Sequence, residues 1–204
     1  AEDRFRVVTG SSFIANDLAW IKMHIQPDDD DVEIRDITLD LACLALWGPK
    51  ARKVLAEVSA DDVSNQAFPY LHSTTITIRG AEVLAQRVSY VGELGWELYV
   101  SPERAVQVWD ALMAAGQAHE IEVGGYKALD SLRLEKGYRY YTADVTPLEN
   151  PYEAGLGFCV KLNKGDFLGK EALLKAKEAG IDKKLCTLTL DGDGFIPIYG
   201  GEAI

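Results

Sequence analysis

Between Thr74 and Val100 the chain carries three β-type runs in close succession: Thr-Thr-Ile-Thr-Ile-Arg, then Val83 to Val91 after Gly80, then Trp96 to Val100. Connections this short leave no room for the crossover that parallel strands need, so the runs are expected to pair as successive antiparallel strands. Helical patterns flank them. Gly48-Pro49 starts one that runs to about Val58, with Pro at its first position. Ser101-Pro102 opens a second, to about Ala115, with Ala105, Val108, Trp109, Leu112 and Ala115 on one side and Gly116 closing it. Two more are expected over Tyr126 to Lys136, ending at Gly137, and Lys170 to Ala179, ending at Gly180. Mixed helices and antiparallel strands without a βαβ rhythm predict an α+β fold.

Elsewhere the pattern predicts a short strand over Arg4 to Val8, then a helix from Ser11 or Ser12 to about Ile25 whose Phe13, Asp17, Trp20, Ile21 and His24 share a face. Asp28 to Asp31 read as a solvated turn, since the alternating spacing and glycine of a calcium loop are missing. Buried strands are expected over Leu39 to Trp47, Leu156 to Leu162 and Leu185 to Leu190. Cys43, Cys159 and Cys186 fall in such apolar runs and read as core thiols, and three unpaired cysteines suit a reducing compartment.

A net charge of -11 repels polyanions, so no nucleic-acid partner is expected. The sequence contains no apolar run of the roughly 18 to 20 residues that a bilayer span needs, so no membrane partner is expected either. His24, His72 and His119 share no metal spacing, and no metal site is expected. Gly155-Leu156-Gly157 lacks the third glycine of a dinucleotide fingerprint, and no Gly-x-Ser-x-Gly elbow is found.

One residue resists this structural reading. Glu97 stands inside Trp-Glu-Leu-Tyr-Val. If the strands closed across the loop Gly92-Glu93-Leu94-Gly95, Tyr90 would face Glu97. Val88, Tyr90, Glu97 and Tyr99 would then share one face, with Trp96, Leu98 and Val100 on the apolar other. Glu93 reads as a solvated turn residue. A carboxylate among aromatics is either an exposed strand residue or a clamp, two oxygens accepting from the adjacent N–H groups of a planar heterocycle while a ring packs on its face.

These residues carry a family resemblance. YVGELGWELYV resembles the Tyr-x-Gly-Glu-x-Gly-aromatic-Glu signature of the aminomethyltransferase family, that of the glycine cleavage T-protein. GYKALDSLRLEKGYRYYTADVTPLENPYEAGLGFCVKLNKGDFLGKEAL resembles the folate-binding C-terminal part of dimethylglycine and sarcosine dehydrogenases. RFRVVTGSSFIANDLAWI and LALWGPKARKVL match preceding family segments in the same order, so the resemblance spans essentially the whole chain. It implies a tetrahydrofolate site in which Tyr90 contacts the folate ring and Glu97 hydrogen-bonds the pterin. It also implies transfer of an aminomethyl or methylene group from an aminomethyl or N-methyl donor to tetrahydrofolate.

The architecture implied is a cloverleaf with a ferredoxin-like part and a C-terminal β-barrel. Residues 1–48 would end a domain begun upstream, 49–154 would contact folate, 155–183 would return to the first domain, and 184–204 would begin the barrel. The chain would then be a piece of a longer protein. The family's catalytic Asp would lie upstream, leaving no catalytic residue in this chain, and FAD would enter only through an upstream flavoprotein domain. Leu129 stands where the glycine-cleavage branch has an Arg that helps to hold folate. Asp130 and Arg133, three apart on a helix, suit an intrahelical ion pair, with a folate contact by Arg133 as the alternative. A non-catalytic folate-binding module is the second functional reading, although Ala154 to Phe158 lacks the Lys-Gly-Cys motif of such relatives. The localisation implied is cytoplasmic, or the mitochondrial matrix in a eukaryote.

Overall fold

The computed structural model describes residues 3–192 and Gly194. By contacts the chain divides into two compact units, one of Ala1–Ser89 with Glu93–Glu122 and one of Tyr90–Gly92 with Val123–Ile204.

The first unit is a two-layer α+β arrangement, as the strand spacing predicts. Strands β1 (Ala42–Trp47), β2 (Ser73–Ile78), β3 (Ala81–Gln86) and β4 (Gly95–Val100) form one sheet in the order β1-β4-β3-β2, every pair antiparallel. Alternation along β4 sends Trp96, Leu98 and Val100 to one face, where they join Leu46, Ile76, Ile78, Val83 and Ala85. Helices α2 (Ala51–Val58) and α3 (Pro102–Gly116) supply the rest of that core through Val54, Leu55 and Val58 and through Val108 and Leu112. Trp109, expected on the core stripe, is 40% exposed: Val108 and Leu112, four apart, take the buried line and leave Trp109 beside it.

Gly95 allows β4 to approach β1. A Cβ there would stand 2.2 Å from the Leu46 carbonyl oxygen and 2.8 Å from the Trp47 Cα, both backbone atoms that cannot give way.

The β3–β4 register differs from the expected one. Gln86, not Tyr90, lies opposite Glu97, and Leu84 lies opposite Tyr99. Strand β3 stops at Gln86 because the Val88 amide turns back to the Gln86 carbonyl at 2.9 Å. The Val88 carbonyl is then taken by the Trp47 indole N–H at 3.0 Å. The side chain of an unrelated strand thus diverts the backbone, which the alternation of residues 83 to 91 does not reveal.

Other expectations are corrected. Arg4 to Val8 forms no strand. The first helix, α1 (Ile14–Met23), follows a 3-10 turn at Ser11–Phe13 without a side-chain cap and buries no residue. The β1 strand is shorter than Leu39 to Trp47, and Leu46 alone within it is buried. All three cysteines belong to exposed residues rather than to the core; Cys43 lies opposite Tyr99, on the face of β1 away from α2 and α3, and no strand forms around Cys159 or Cys186. Asp28 to Asp31 is a turn, as expected, with the Asp29 carboxylate accepting from the Gln26 amide at 2.7 Å.

The second unit holds α4 (Tyr126–Glu135) and α5 (Lys170–Ala179), both where the sequence predicts helices. Gly137, at φ 73°, ends the run after α4 in the left-handed conformation that glycine adopts without strain. Leu156 to Leu162 is not a strand; it contains a 3-10 turn at Gly157–Cys159, following Gly155 at φ 68°. Leu185 to Leu190 carries no assigned strand. Most of the barrel expected over 184–204 lies outside the described residues.

Candidate functional site

Glu97 projects from the face of the sheet opposite the helices. Its neighbours across the two flanking strands are Ala45 on β1 and Gln86 on β3. Ala45 is small and exposed, so one side of the carboxylate is open. Two residues along β4, on the same face, Tyr99 is 8% exposed and donates its hydroxyl to Glu97 Oε2 at 2.6 Å. Burial, and then the bond to Glu97, push the Tyr99 phenol above its ordinary range, so it stays protonated as a donor. Cys43 lies opposite Tyr99 on β1. Although Cys43 is exposed as a residue, its thiol is close enough to the sheet for desolvation first and the Glu97 charge second to push it up to about 11. It is therefore neutral at physiological pH and a poor nucleophile.

The other two predicted residues belong to the second unit. Tyr90 stacks on Tyr138, ring centroids 5.9 Å apart and planes 19° from parallel, and its hydroxyl donates to the Arg139 carbonyl at 2.6 Å. Burial raises the Tyr90 phenol above its usual pKa, against the pull of Arg133. Arg133 is 5% exposed. Its Nε donates to Asp130 at 2.7 Å, forming the expected intrahelical pair, and its Nη1 donates both to the Tyr138 carbonyl at 3.1 Å and to Asp144. Burial works against the guanidinium charge, but the Asp130 and Asp144 carboxylates outweigh it and raise the Arg133 pKa. Asp144 also accepts from the Tyr140 amide at 2.8 Å, fixing the loop that follows α4. Sequence reasoning missed Asp144, because no period relates it to Arg133 eleven positions earlier.

A groove of about 560 Å³ in the second unit is lined by Leu134, Tyr138, Arg139, Asp144, Cys186 and Leu188 among others, and neither Tyr90 nor Arg133 lines it. Among the described residues no group of three His, Cys, Asp or Glu is arranged to hold a metal ion, and no helix is long and apolar enough to cross a membrane.

Glu149 makes an acid-sensitive contact within the second unit. Glu149 accepts from Lys183 Nζ at 2.9 Å and from the Thr146 hydroxyl and amide at 2.7 and 2.9 Å. The Lys183 bond first, and the Thr146 bonds next, lower its pKa from 4.5 to about 2. A depressed folded value means that the contribution is complete above 4.5 and disappears as pH falls through about 2. Lys183→Ala is expected to move the Glu149 midpoint back towards 4.5, followed by carboxyl ¹³C resonances. A midpoint unchanged by the substitution would show that Lys183 does not hold the carboxylate.

A family model described as the GCVT N-terminal domain matches residues 1–164. The chain belongs to this aminomethyltransferase family. It is 43% identical over 199 residues to an aminomethyltransferase of Halothermothrix orenii, covering 98% of this chain and 54% of that protein. It is 42% identical over 201 residues to the mitochondrial dimethylglycine dehydrogenase of Homo sapiens, covering 98% of this chain and 23% of the relative. Identity to the mitochondrial sarcosine dehydrogenase of Mus musculus is 38% over 203 residues, or 99% of this chain and 22% of that one. The chain thus spans about half the length of the aminomethyltransferase it matches and less than a quarter of the dehydrogenases. Among solved structures, the glycine cleavage aminomethyltransferase T of Bartonella henselae superposes with a TM-score of 0.68 at 26% identity, over 84% of this chain and 45% of that one. The α+β class is therefore shared with a solved member of the family.

Proposed function

We propose that this GCVT domain binds tetrahydrofolate and serves one-carbon transfer from an aminomethyl or N-methyl donor, with Glu97 as the acceptor for the pterin. The observation that carries the reading is a half-buried carboxylate on the face of the sheet away from the helices, with Ala45 and Gln86 across the flanking strands and one oxygen already held by the Tyr99 hydroxyl two residues along β4. The Tyr99 hydroxyl holds Glu97 on that face, and the side towards Ala45 is open to a ligand. Tyr90, on its stack with Tyr138, is proposed to contact the folate ring system. Arg133 retains a proposed folate role only alongside its two ion pairs, which occupy much of its donor capacity.

Bound folate would supply the nucleophilic nitrogen that receives the one-carbon unit. The residues of this chain supply orientation: a carboxylate pairing with adjacent N–H groups fixes a planar ring in its own plane, and positioning of two reactants is the main protein contribution to such a transfer. The catalytic Asp, the donor substrate and a flavoprotein domain in the parent chain stay proposals drawn from the resemblance, as do the domain boundaries at 48, 154 and 183.

Calorimetric titration of tetrahydrofolate into the chain is expected to show saturable binding near one site per chain. An absence of heat and of competition at millimolar ligand would contradict the reading.

A further inference from the structure

Resting on the proposal that Glu97 receives the pterin, we infer that Tyr99 is a positioning residue for that site, holding the Glu97 carboxylate in the rotamer that presents its other oxygen to the ligand. The hydroxyl donates to Oε2 at 2.6 Å, the short distance of a charge-assisted bond. The Tyr99 ring cannot easily swing away. It is 8% exposed, is flanked in register by Cys43 and Leu84, and has the Arg6 guanidinium 6.0 Å from its centroid. Glu97, by contrast, has long torsional freedom and an open side at Ala45. Without an anchor its carboxylate would sample several rotamers, and ligand binding would bear the entropy of fixing one of them. Tyr99 takes one acceptor site of Oε2, so Oε1 and the second site of Oε2 are left for adjacent N–H groups of the ligand.

The division of labour is asymmetric: Tyr99 touches no ligand and acts through Glu97. A purely structural Tyr99 would stabilise the sheet without regard to which residue stands at 97. The two roles separate in a double-mutant cycle. Tyr99→Phe keeps the ring and is expected to weaken tetrahydrofolate binding about five- to tenfold, the scale of immobilising one rotamer-rich side chain, while the melting temperature shifts by no more than about 5 °C. In a Glu97→Ala background, where the hydroxyl has no carboxylate to hold, the same change is expected to alter affinity less than about twofold. In the ligand-free protein at pH 7, the Glu97 carboxyl ¹³C resonance should move on Tyr99→Phe, reporting the lost donor without any folate.

A moved resonance with unchanged affinity would overturn the positioning role while leaving Glu97 as the folate acceptor. Equal losses in both backgrounds would do the same, showing that Tyr99 acts independently of Glu97. Failure of the unaltered chain to bind tetrahydrofolate would remove the functional proposal and this inference together.

Discussion

Trp96→Ala is expected to destabilise the first unit by about 3 to 5 kcal/mol, the range for deleting a large aromatic from a packed core. Trp96 is fully buried near the start of β4, with the Phe68 ring 6.0 Å away and the Arg52 guanidinium 5.2 Å from its centroid. Truncation removes the apolar contact area and leaves a cavity that the sheet cannot close, because β4 is fixed there by its pairing with β1. Trp96→Phe should cost much less. The buried indole N–H has no hydrogen-bond partner among the described residues, so replacing it by a carbon ring forfeits no bond. Urea unfolding monitored by circular dichroism checks both, and an Ala variant within about 1 kcal/mol of the parent would show that Trp96 is not a core residue.

Arg133→Ala carries the second large effect, about 3 kcal/mol of lost stability in the second unit. The loss has two sources. The substitution leaves Asp144, whose side chain is 25% exposed, without its cation, and it frees the Tyr138 carbonyl. Asp130 loses less, since its side chain is 61% exposed and water replaces the bond. Arg133→Lys retains the charge but cannot reach Asp130, Asp144 and the Tyr138 carbonyl together, as a forked guanidinium does. It should recover less than half of the loss. The measurement also separates the two roles read from the sequence: a residue that only contacts folate would lower affinity and leave the unfolding midpoint in place.

How much of this was legible depended on whether the signal was local. The helices at Pro102–Gly116, Tyr126–Glu135 and Lys170–Ala179 follow from apolar spacing and closing glycines, and their limits fall within a residue or two of the expected ones. Period-two alternation likewise placed Glu97 and Tyr99 on one face of β4 and Trp96, Leu98 and Val100 on the other. Pairing partners were less accessible. The end of β3 is set by the Trp47 indole, 41 positions before the carbonyl it captures, so the register moved four residues and Gln86 replaced Tyr90 opposite Glu97. Because the shift is even, the residues of β3 kept their faces and Tyr99 still shares one with Glu97, while Val88 and Tyr90, expected there too, fall outside the strand. The exposed cysteines are a failure of another kind: an apolar run says neither which face the helices cover, as at Cys43, nor whether a strand forms at all, as at Cys159 and Cys186. Asp144 was invisible because its role depends on where a loop returns. The bond from Tyr99 to Glu97 was within reach, since residues two apart on a strand share a face.

The claim that Glu97 accepts the pterin is tested most directly by titrating tetrahydrofolate into the chain and into Glu97→Gln. The amide keeps the size of the side chain and an oxygen for the Tyr99 hydroxyl, so the fold should hold and the melting temperature should be preserved. What is lost is the charge and one acceptor. Binding is expected to weaken by about 1.5 to 3 kcal/mol, the value of a hydrogen bond to a charged group. Equal affinity of the two proteins for tetrahydrofolate would contradict the account.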